Sequence, residues 1–226
     1  MSEKVNLDSL IPREDLEVSE DNMSIRRKDS VSISDLSADS FFLMNFFKPD
    51  FQRETTEWDY EKIGKFISSY VNGELIPSII LWQSKGSSIF IIDGAHRLSA
   101  LIAWVNDDYG DGVLSRRFLN GSIPYDQQTI ADKARQYINS TIGTYNSYLD
   151  AIYHPESYDV EFTKKARTLT TVAIQLQWVV GDVRSAEKSF FNINQQGAPI
   201  NPTEMILIQA RTSPKCIAAR AIMRRG

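Results

Sequence analysis

The residues best suited to chemistry lie where an apolar strand passes directly into an apolar-faced helix, in the stretch IFIIDGAHRLSALIAW at 89–104. A helix that begins there leaves its first backbone amides without intrahelical acceptors, near the positive end of the helix dipole. Such a terminus binds phosphate or another anion. Gly94 permits a ligand to approach the backbone closely, and Ala95 adds no bulk. The sequence therefore predicts an anion site at this joint.

Three charged or titratable side chains flank the glycine. Arg97 can add a charge-assisted contact to a phosphate, and His96 can donate to a phosphate oxygen or move a proton near neutral pH. Asp93 can cap the helix or hold a metal-bound water. The alternative is that Asp-Gly forms only a turn and that His-Arg forms a solvated first helical turn.

Arg53 is a second candidate, in the polar and aromatic stretch FKPDFQRETTEWD at 46–59. It lies shortly before a predicted helix and can approach the anion site. It can equally form a surface ion pair with Glu54 or Glu57.

Amide side chains form a third candidate, in the stretch FFNINQQGAPINPTE at 190–204. Asn192 and Asn194 lie near a predicted helix end beside Gly197. Amides in that place can read the edge of a base, or they can only cap the helix.

Hydrophobic periodicity predicts the elements that position the joint. Apolar residues recur at helical spacing over 58–71, where Asp59 is a plausible N-cap. Two short strands are predicted over 76–82 and 88–92, with a polar hairpin loop between them.

The helix that follows the joint has its own apolar stripe, formed by Leu98, Leu101, Ile102 and Val105. On a helical wheel this stripe leaves His96 nearly opposite the buried face and Arg97 about 90° from its middle. Neither side chain is therefore expected to belong to the buried face.

The second half of the chain reads as mainly helical. We predict a polar loop over 106–121, helices over 125–153 and 182–196, a strand near 168–180, and helix starts at Asn201 and Ser213. The acidic residues at 106–112 hint at calcium, but they lack the ligand spacing, so a solvated loop is expected. The fold class is α/β (α+β), with a small mixed sheet.

Composition restricts the class of protein. The single Cys216 excludes a disulfide framework and a multi-cysteine metal site, and it fits a reducing compartment. The N-terminus lacks a signal-peptide pattern and no run of about 18 apolar residues occurs, which predicts a cytoplasmic protein. Lys and Arg number 25 against 29 Asp and Glu, a net charge of −4. This balance disfavours a broadly basic nucleic-acid surface but allows a local basic patch.

Four ordered blocks resemble the N-terminal domain of GmrSD-type modification-dependent restriction systems, part of the wider ParB/sulfiredoxin-like superfamily. The blocks are Phe51-Gln52-Arg53, Gly73-Glu74-Leu75-Ile76-Pro77, Asp93-Gly94-Ala95-His96-Arg97-Leu98, and Phe191 to Ile200. The resemblance covers roughly residues 31–212. Where the family commonly has two glutamines, this chain has Ala95 and His96. That version is similar to the G-x-H-R of sulfiredoxin-like relatives, which bind nucleotide phosphates.

The resemblance implies a nucleotide-binding regulatory domain that hydrolyses a nucleoside triphosphate with Mg²⁺, in defence against modified or foreign DNA. It implies His96, Arg97 and Asp93 as catalytic residues, with Asp93 also holding the metal. The expected nucleotide-binding residues are Arg53, Gln52, Gly94, Ala95, Arg97, Asn192 and Asn194.

The chain is expected to divide into an N-terminal arm (1–30), a ParB/sulfiredoxin-like core (31–122) and a helical region packed on that core (123–226). The family's nuclease is usually a His-Asn-His domain. Since His96 and His154 are the only histidines, we expect that nuclease as a separate partner or as a further C-terminal domain.

Nucleotide, DNA and a second copy of the chain are the other expected partners, and no membrane is expected. The rival hypothesis is a DNA- or partner-binding module without catalysis. A third, less favoured, is that the domain is itself a nuclease.

Overall fold

The computed structural model describes residues 3–16, 27–52, 54–86, 88–196, 206, 210 and 213–224. The strands are β1 (Arg13–Glu14), β2 (Ser30–Ser32), β3 (Phe46–Pro49), β4 (Ile79–Gln83), β5 (Ile89–Asp93) and β6 (Ala173–Val179). The helices are α1 (Tyr60–Val71), α2 (Ala95–Asn106), α3 (Val113–Phe118), α4 (Tyr125–Thr141), α5 (Tyr145–Tyr153), α6 (Val160–Thr168), α7 (Val183–Gln196) and α8 (Pro214–Arg224). This mixture of helices and strands confirms the predicted α/β (α+β) fold class.

The strands form one mixed sheet in the order β1-β3-β5-β4-β6-β2. Strand β5 lies near its centre, parallel to β3 and antiparallel to β4. Strand β6 pairs parallel with β4 and antiparallel with β2. Central strands with both faces covered are expected to be continuously apolar, which explains the run IFII at the start of β5.

The sheet separates two hydrophobic clusters. Ile89 and Ile91 of β5 belong to the larger cluster, with residues of α1, α2, α4, α5 and α6. Phe90 and Ile92 point to the other face, where they join Phe190 of α7 and the buried Cys216 of α8. Because side chains alternate along a strand, β5 is fixed from both sides.

Most of the predicted elements are present with shifted ends. The helix predicted over 58–71 is α1, and its N-cap is Asp59, whose carboxylate accepts from the amide of Lys62 at 2.8 Å. The two predicted strands are β4 and β5, and the predicted strand near 168–180 is β6. The helix start predicted at Asn201 lies outside the described residues.

Strand β3 was not predicted. It contains Lys48 and Pro49, which are poor strand residues in isolation, and it forms through parallel pairing with β1 and β5.

The segment from residue 3 to residue 16, predicted as part of an arm, lies against the core. Leu7, Leu10 and Ile11 are at most 3% exposed. The boundaries predicted at residues 30 and 122 stay predictions. Among the described residues no helix is long and apolar enough to cross a membrane.

The polar loop predicted over 106–121 is wrong in part, because the segment contains α3, and the solvated loop expected over 106–112 is wrong, because it contains a buried acid. Asp108 is fully buried, and its carboxylate accepts from the amides of Gly110, Asp111, Gly112 and Ser115 at 2.8–3.1 Å. The hydroxyl of Ser115 donates to the same carboxylate at 2.6 Å. Asp108 therefore serves the turn before α3 as a structural acceptor.

We expect Asp108→Ala to lower the free energy of unfolding by more than about 2 kcal/mol, because it leaves several buried N–H donors without an acceptor. Asp126→Ala is the matched control, since Asp126 is exposed in the first turn of α4. Its loss should cost less than about 1 kcal/mol. Urea denaturation of both variants measures the difference, and equal effects would contradict the structural role given to Asp108.

Candidate functional site

The strand–helix joint opens onto a cleft of about 160 Å³, here called the DGAHR cleft. It lies at the end of β5 and the start of α2, beside the loop that follows β3 and the helix α7. Its lining residues are Gln52, Thr55, Trp58, Ile92, Asp93, Gly94, Ala95, His96, Arg97 and Phe190. The structure therefore brings together six of the residues that the sequence nominated, namely Gln52, Asp93, Gly94, Ala95, His96 and Arg97.

Gly94 is the N-cap of α2 and adopts a left-handed backbone conformation, with φ 100° and ψ 12°. A side chain there would collide with Ile79 and come within 3.0 Å of the Arg97 guanidinium. No side chain caps the amides of this first turn. The possibility that Asp93 caps α2 is thus not realised, and the amide end of the helix faces the cleft.

The carboxylate of Asp93 forms an ion pair with Arg97 across one helical turn, at 2.5 Å. The same Arg97 nitrogen donates to the carbonyl of Ser78 at 3.2 Å. The Nε atom of Arg97 is buried and has no hydrogen-bond partner among the described residues. Arg97 is therefore held beside the cleft with donor capacity to spare.

His96 stacks on the indole of Trp58, with ring centroids 5.7 Å apart and an interplanar angle of 26°. Trp58 also packs edge-on against Phe66 of α1, and the ammonium of Lys62 lies 4.9 Å from its ring centroid. These contacts fix the orientation of the imidazole. His96 is half-buried, so its predicted place off the fully buried face of α2 is confirmed.

A cluster of buried charges, absent from the sequence predictions, supports the floor of the cleft. Asp8 forms ion pairs with Arg13 at 2.9 Å and with Lys48 at 2.5 Å, and it accepts from the amide of Thr55 at 2.8 Å. Arg13 also donates to the carbonyl of Gln52, and Lys48 to the hydroxyl of Thr55. This cluster, here called the Asp8 cluster, thus binds two residues of the loop that lines the cleft.

The pKa values in the Asp8 cluster reflect one acid between two cations. Burial alone would raise the pKa of Asp8, but the attraction of Lys48 and Arg13 and the donated hydrogen bonds hold it below its usual value. Burial lowers the pKa of Lys48 to about 8, against the pull of Asp8 and with the help of Arg13. Desolvation dominates at the fully buried lysine, whereas attraction dominates at the carboxylate.

The remaining nominated residues are placed less favourably or not at all. Asn192 is exposed and is not among the residues that line the cleft. Arg53 and the side chain of Asn194 lie outside the described residues. Gln52 does line the cleft, and its Oε1 atom is buried without a hydrogen-bond partner in the described part of the chain.

Sequence reasoning missed Thr55, Trp58 and Phe190 as lining residues. The first two lie in the polar and aromatic stretch at 46–59, from which only Gln52 and Arg53 were predicted as site residues. Phe190 is a buried core residue, and one side of it borders the cleft.

Of the cleft-lining residues that the structure describes, Asp93 is the one carboxylate. Among the described residues, no group of three or more His, Cys, Asp or Glu side chains is placed to hold a metal ion. This donor set would suit Mg²⁺ only if the phosphate oxygens of a bound ligand and water completed the coordination, which is the way Mg²⁺ is usually bound.

A comparison with protein families matches residues 33–211 to the GmrSD restriction endonuclease, N-terminal domain. The match spans most of the chain, and it confirms the resemblance that the four sequence blocks predicted. No curated protein and no solved structure matches the chain significantly.

We expect the free energy of unfolding to fall at acidic pH because of the Asp8 cluster. Because the pKa of Asp8 is lower in the folded state than in the unfolded state, its stabilising contribution is complete above the usual carboxyl pKa of about 4 and is lost as the pH falls through the folded value. Asp8→Asn should cost about 3–5 kcal/mol at pH 7, since it leaves two buried cations uncompensated.

Urea denaturation between pH 7 and pH 2 tests this expectation, and the gap between the wild type and Asp8→Asn should shrink as the pH falls. Asp132→Asn is the matched control, because its carboxylate forms an ion pair but is 62% exposed. A gap that stays constant with pH would show that the Asp8 charge does not carry the effect.

Proposed function

We propose that this chain is the nucleotide-binding regulatory part of a restriction or phage-defence system, because it belongs to the GmrSD restriction endonuclease N-terminal domain family. In this proposal the DGAHR cleft binds a nucleoside triphosphate through its phosphates and hydrolyses it. Cleavage of DNA belongs to a His-Asn-His nuclease, on a separate subunit or in a further C-terminal domain.

The observation that carries the proposal is the uncapped start of α2 beside Arg97. Gly94 turns the chain so that the first amides of a 12-residue helix face the same cleft as a guanidinium. Backbone amides, the positive end of the helix dipole and a fixed cation are the three elements of many phosphate sites. The cleft volume of about 160 Å³ suits phosphoryl groups and leaves the sugar and the base outside it.

Arg97 must exchange or share its present partner when a phosphate arrives. Its Nη2 atom is committed to Asp93 and to the carbonyl of Ser78. Its Nε atom is buried and has no acceptor among the described residues, so it becomes a second point of attachment for the phosphate only when the guanidinium shifts. A bidentate contact of this kind stabilises the charge that develops on a transferred phosphoryl group.

In this proposal His96 acts on the attacking water. Stacking on Trp58 holds its ring at the mouth of the first turn of α2. In the proposed step the oxygen of water bonds to the γ-phosphorus as the bond to the β–γ bridging oxygen breaks, and His96 orients the water or accepts its proton. Asp93 would hold Mg²⁺ together with phosphate oxygens, and the ion would neutralise phosphate charge.

The alternative function, a binding module without catalysis, is favoured by one observation. Asp93 is already paired with Arg97, and an acid engaged in this way is a weaker metal ligand. In that case the domain binds DNA or a protein partner, and a nucleotide in the cleft is neither required nor hydrolysed.

We expect Arg97→Ala to weaken triphosphate binding at least about tenfold, because it removes the fixed cation and leaves the Asp93 carboxylate facing the phosphates. Arg97→Lys should lose less, since it keeps a charge but not the fork. Arg117→Ala is the control for an exposed arginine on α3. Thermal shift with each nucleoside triphosphate and Mg²⁺ measures binding, and phosphate release measures hydrolysis.

Unchanged affinity in Arg97→Ala would sink the assignment of the cleft to phosphate. Stabilisation of the wild type without phosphate release, with or without DNA, would favour the module without catalysis. Asp93→Asn separates the two roles of the acid. If Asp93 holds Mg²⁺, the variant binds nucleotide but no longer responds to Mg²⁺.

A further inference from the structure

A second and larger cleft, of about 680 Å³, lies away from the DGAHR cleft. We call it the aromatic cleft. Its walls carry Phe41, Phe42 and Trp178, with Arg27 and Lys28 beside them, and Ile89 forms part of its floor. The volume lies within the usual range for a ligand site of about 300–1,000 Å³. The proposed triphosphatase uses none of these residues.

Both cations of the aromatic cleft are held against aromatic rings. The guanidinium of Arg27 lies 5.5 Å from the ring centroid of Trp178, and it donates to Gln83 at 3.4 Å. The ammonium of Lys28 lies 4.5 Å from the centroid of Phe42 and pairs with Asp35 at 2.6 Å. The indole of Trp178 in turn donates to the carbonyl of Lys28 at 2.7 Å. The two charges are therefore fixed at the rim of an apolar space.

Phe41 is the aromatic residue of the cleft that is open to a ligand. It is 85% exposed, whereas its neighbour Phe42 packs edge-on against the buried Phe46 at 4.8 Å. An exposed phenyl ring that lines the same cleft as two cations is suited to stacking. Polar side chains nearby, among them Ser40, Asn45 and Gln83, can meet the edge of a stacked ring.

This combination matches an unpaired nucleotide better than it matches a DNA duplex. A base stacks on an exposed aromatic ring, and an adjacent phosphate pairs with lysine or arginine. A paired base hides both faces within the duplex. A duplex is bound chiefly through a broad row of phosphates. A chain of net charge −4, with two cations among the described residues that line this cleft, is poorly equipped to contact such a row.

Strand β5 connects the two clefts. Ile89, its first residue, borders the aromatic cleft, and Asp93, its last residue, borders the DGAHR cleft. Four residue steps along a strand separate the two ends by about 13 Å. A ligand in one cleft therefore touches the same buried strand as a ligand in the other.

We propose that the aromatic cleft binds an unpaired nucleotide of a DNA strand, with its base on Phe41 and a neighbouring phosphate on Arg27 and Lys28. The family's description as a restriction endonuclease is consistent with DNA as the polymer. In this proposal the domain detects an exposed base by binding it in the aromatic cleft. This binding does not require the triphosphatase activity proposed for the other cleft.

Fluorescence anisotropy with three labelled DNAs tests the proposal: a 12-nucleotide single strand, its fully paired duplex, and the duplex with one extra unpaired nucleotide. We expect the single strand and the bulged duplex to bind at least about fivefold more tightly than the paired duplex. Phe41→Ala should weaken both by at least about fivefold. Arg27→Ala should reduce the slope of log affinity against log salt by about 0.7.

Three control variants keep the result specific. Tyr125→Ala removes an aromatic side chain that is 81% exposed but lies outside the cleft, and Arg117→Ala removes an exposed arginine on α3. Both should leave affinity within about twofold of the wild type. Arg97→Ala should also leave DNA affinity unchanged. This result would test the aromatic cleft independently of whether the DGAHR cleft binds a nucleoside triphosphate.

Four outcomes would overturn the proposal. The first two are equal affinity for all three DNAs and no effect of Phe41→Ala. The third is displacement of the single strand by free nucleoside monophosphate at the same total concentration of nucleotide. The fourth is self-association of the protein that Phe41→Ala abolishes while DNA binding stays unchanged. The last two would assign the cleft to a free nucleotide or to a second copy of the chain.

Discussion

The carboxylate of Asp8 lies between two cations that water hardly reaches, since the side chains of Arg13 and Lys48 are 1% and 0% exposed. Burying such cations is costly, and it is offset only where each finds an anion and further hydrogen-bond partners. The partners that complete the set are backbone and hydroxyl groups of Gln52 and Thr55. The shape of the DGAHR cleft therefore depends on a charge cluster that starts in the first ten residues of the chain.

Strand β5 positions the start of α2 at the site. Its side chains enter two hydrophobic clusters alternately, so the strand can neither slide nor rotate without moving apolar groups into the wrong layer. Its last residue, Asp93, and the left-handed Gly94 then fix where α2 begins. The direction of the helix dipole at the cleft is thus set mainly by apolar packing on the two faces of β5.

The elements that sequence patterns predicted are those defined by local periodicity. Helix α1, strands β4 and β5 and the joint before α2 each carry their own signal within a dozen residues. The features that were missed depend on distant partners: β3 needs β1 and β5, and Lys48 meets Asp8 across 40 residues. Likewise, α3 follows a buried acid that looks solvated in sequence. The four ordered blocks predicted the family, and Asn192 shows their limit, because a shared segment does not place each side chain in the cleft.

Because Asp93 and Arg97 form an ion pair, an anion in the DGAHR cleft has to compete with Asp93 for Arg97. Any anion that enters must replace or share an interaction that Arg97 already makes at 2.5 Å, so its net affinity is the difference between two attractions. An anion with one negative charge offers the guanidinium no more than Asp93 does. A polyphosphate offers more charge and more acceptors, and it can meet the amides of α2 and the guanidinium at once. In the proposed function, Mg²⁺ carried by the polyphosphate would give the displaced Asp93 carboxylate a new cation and would offset the loss of its ion pair with Arg97.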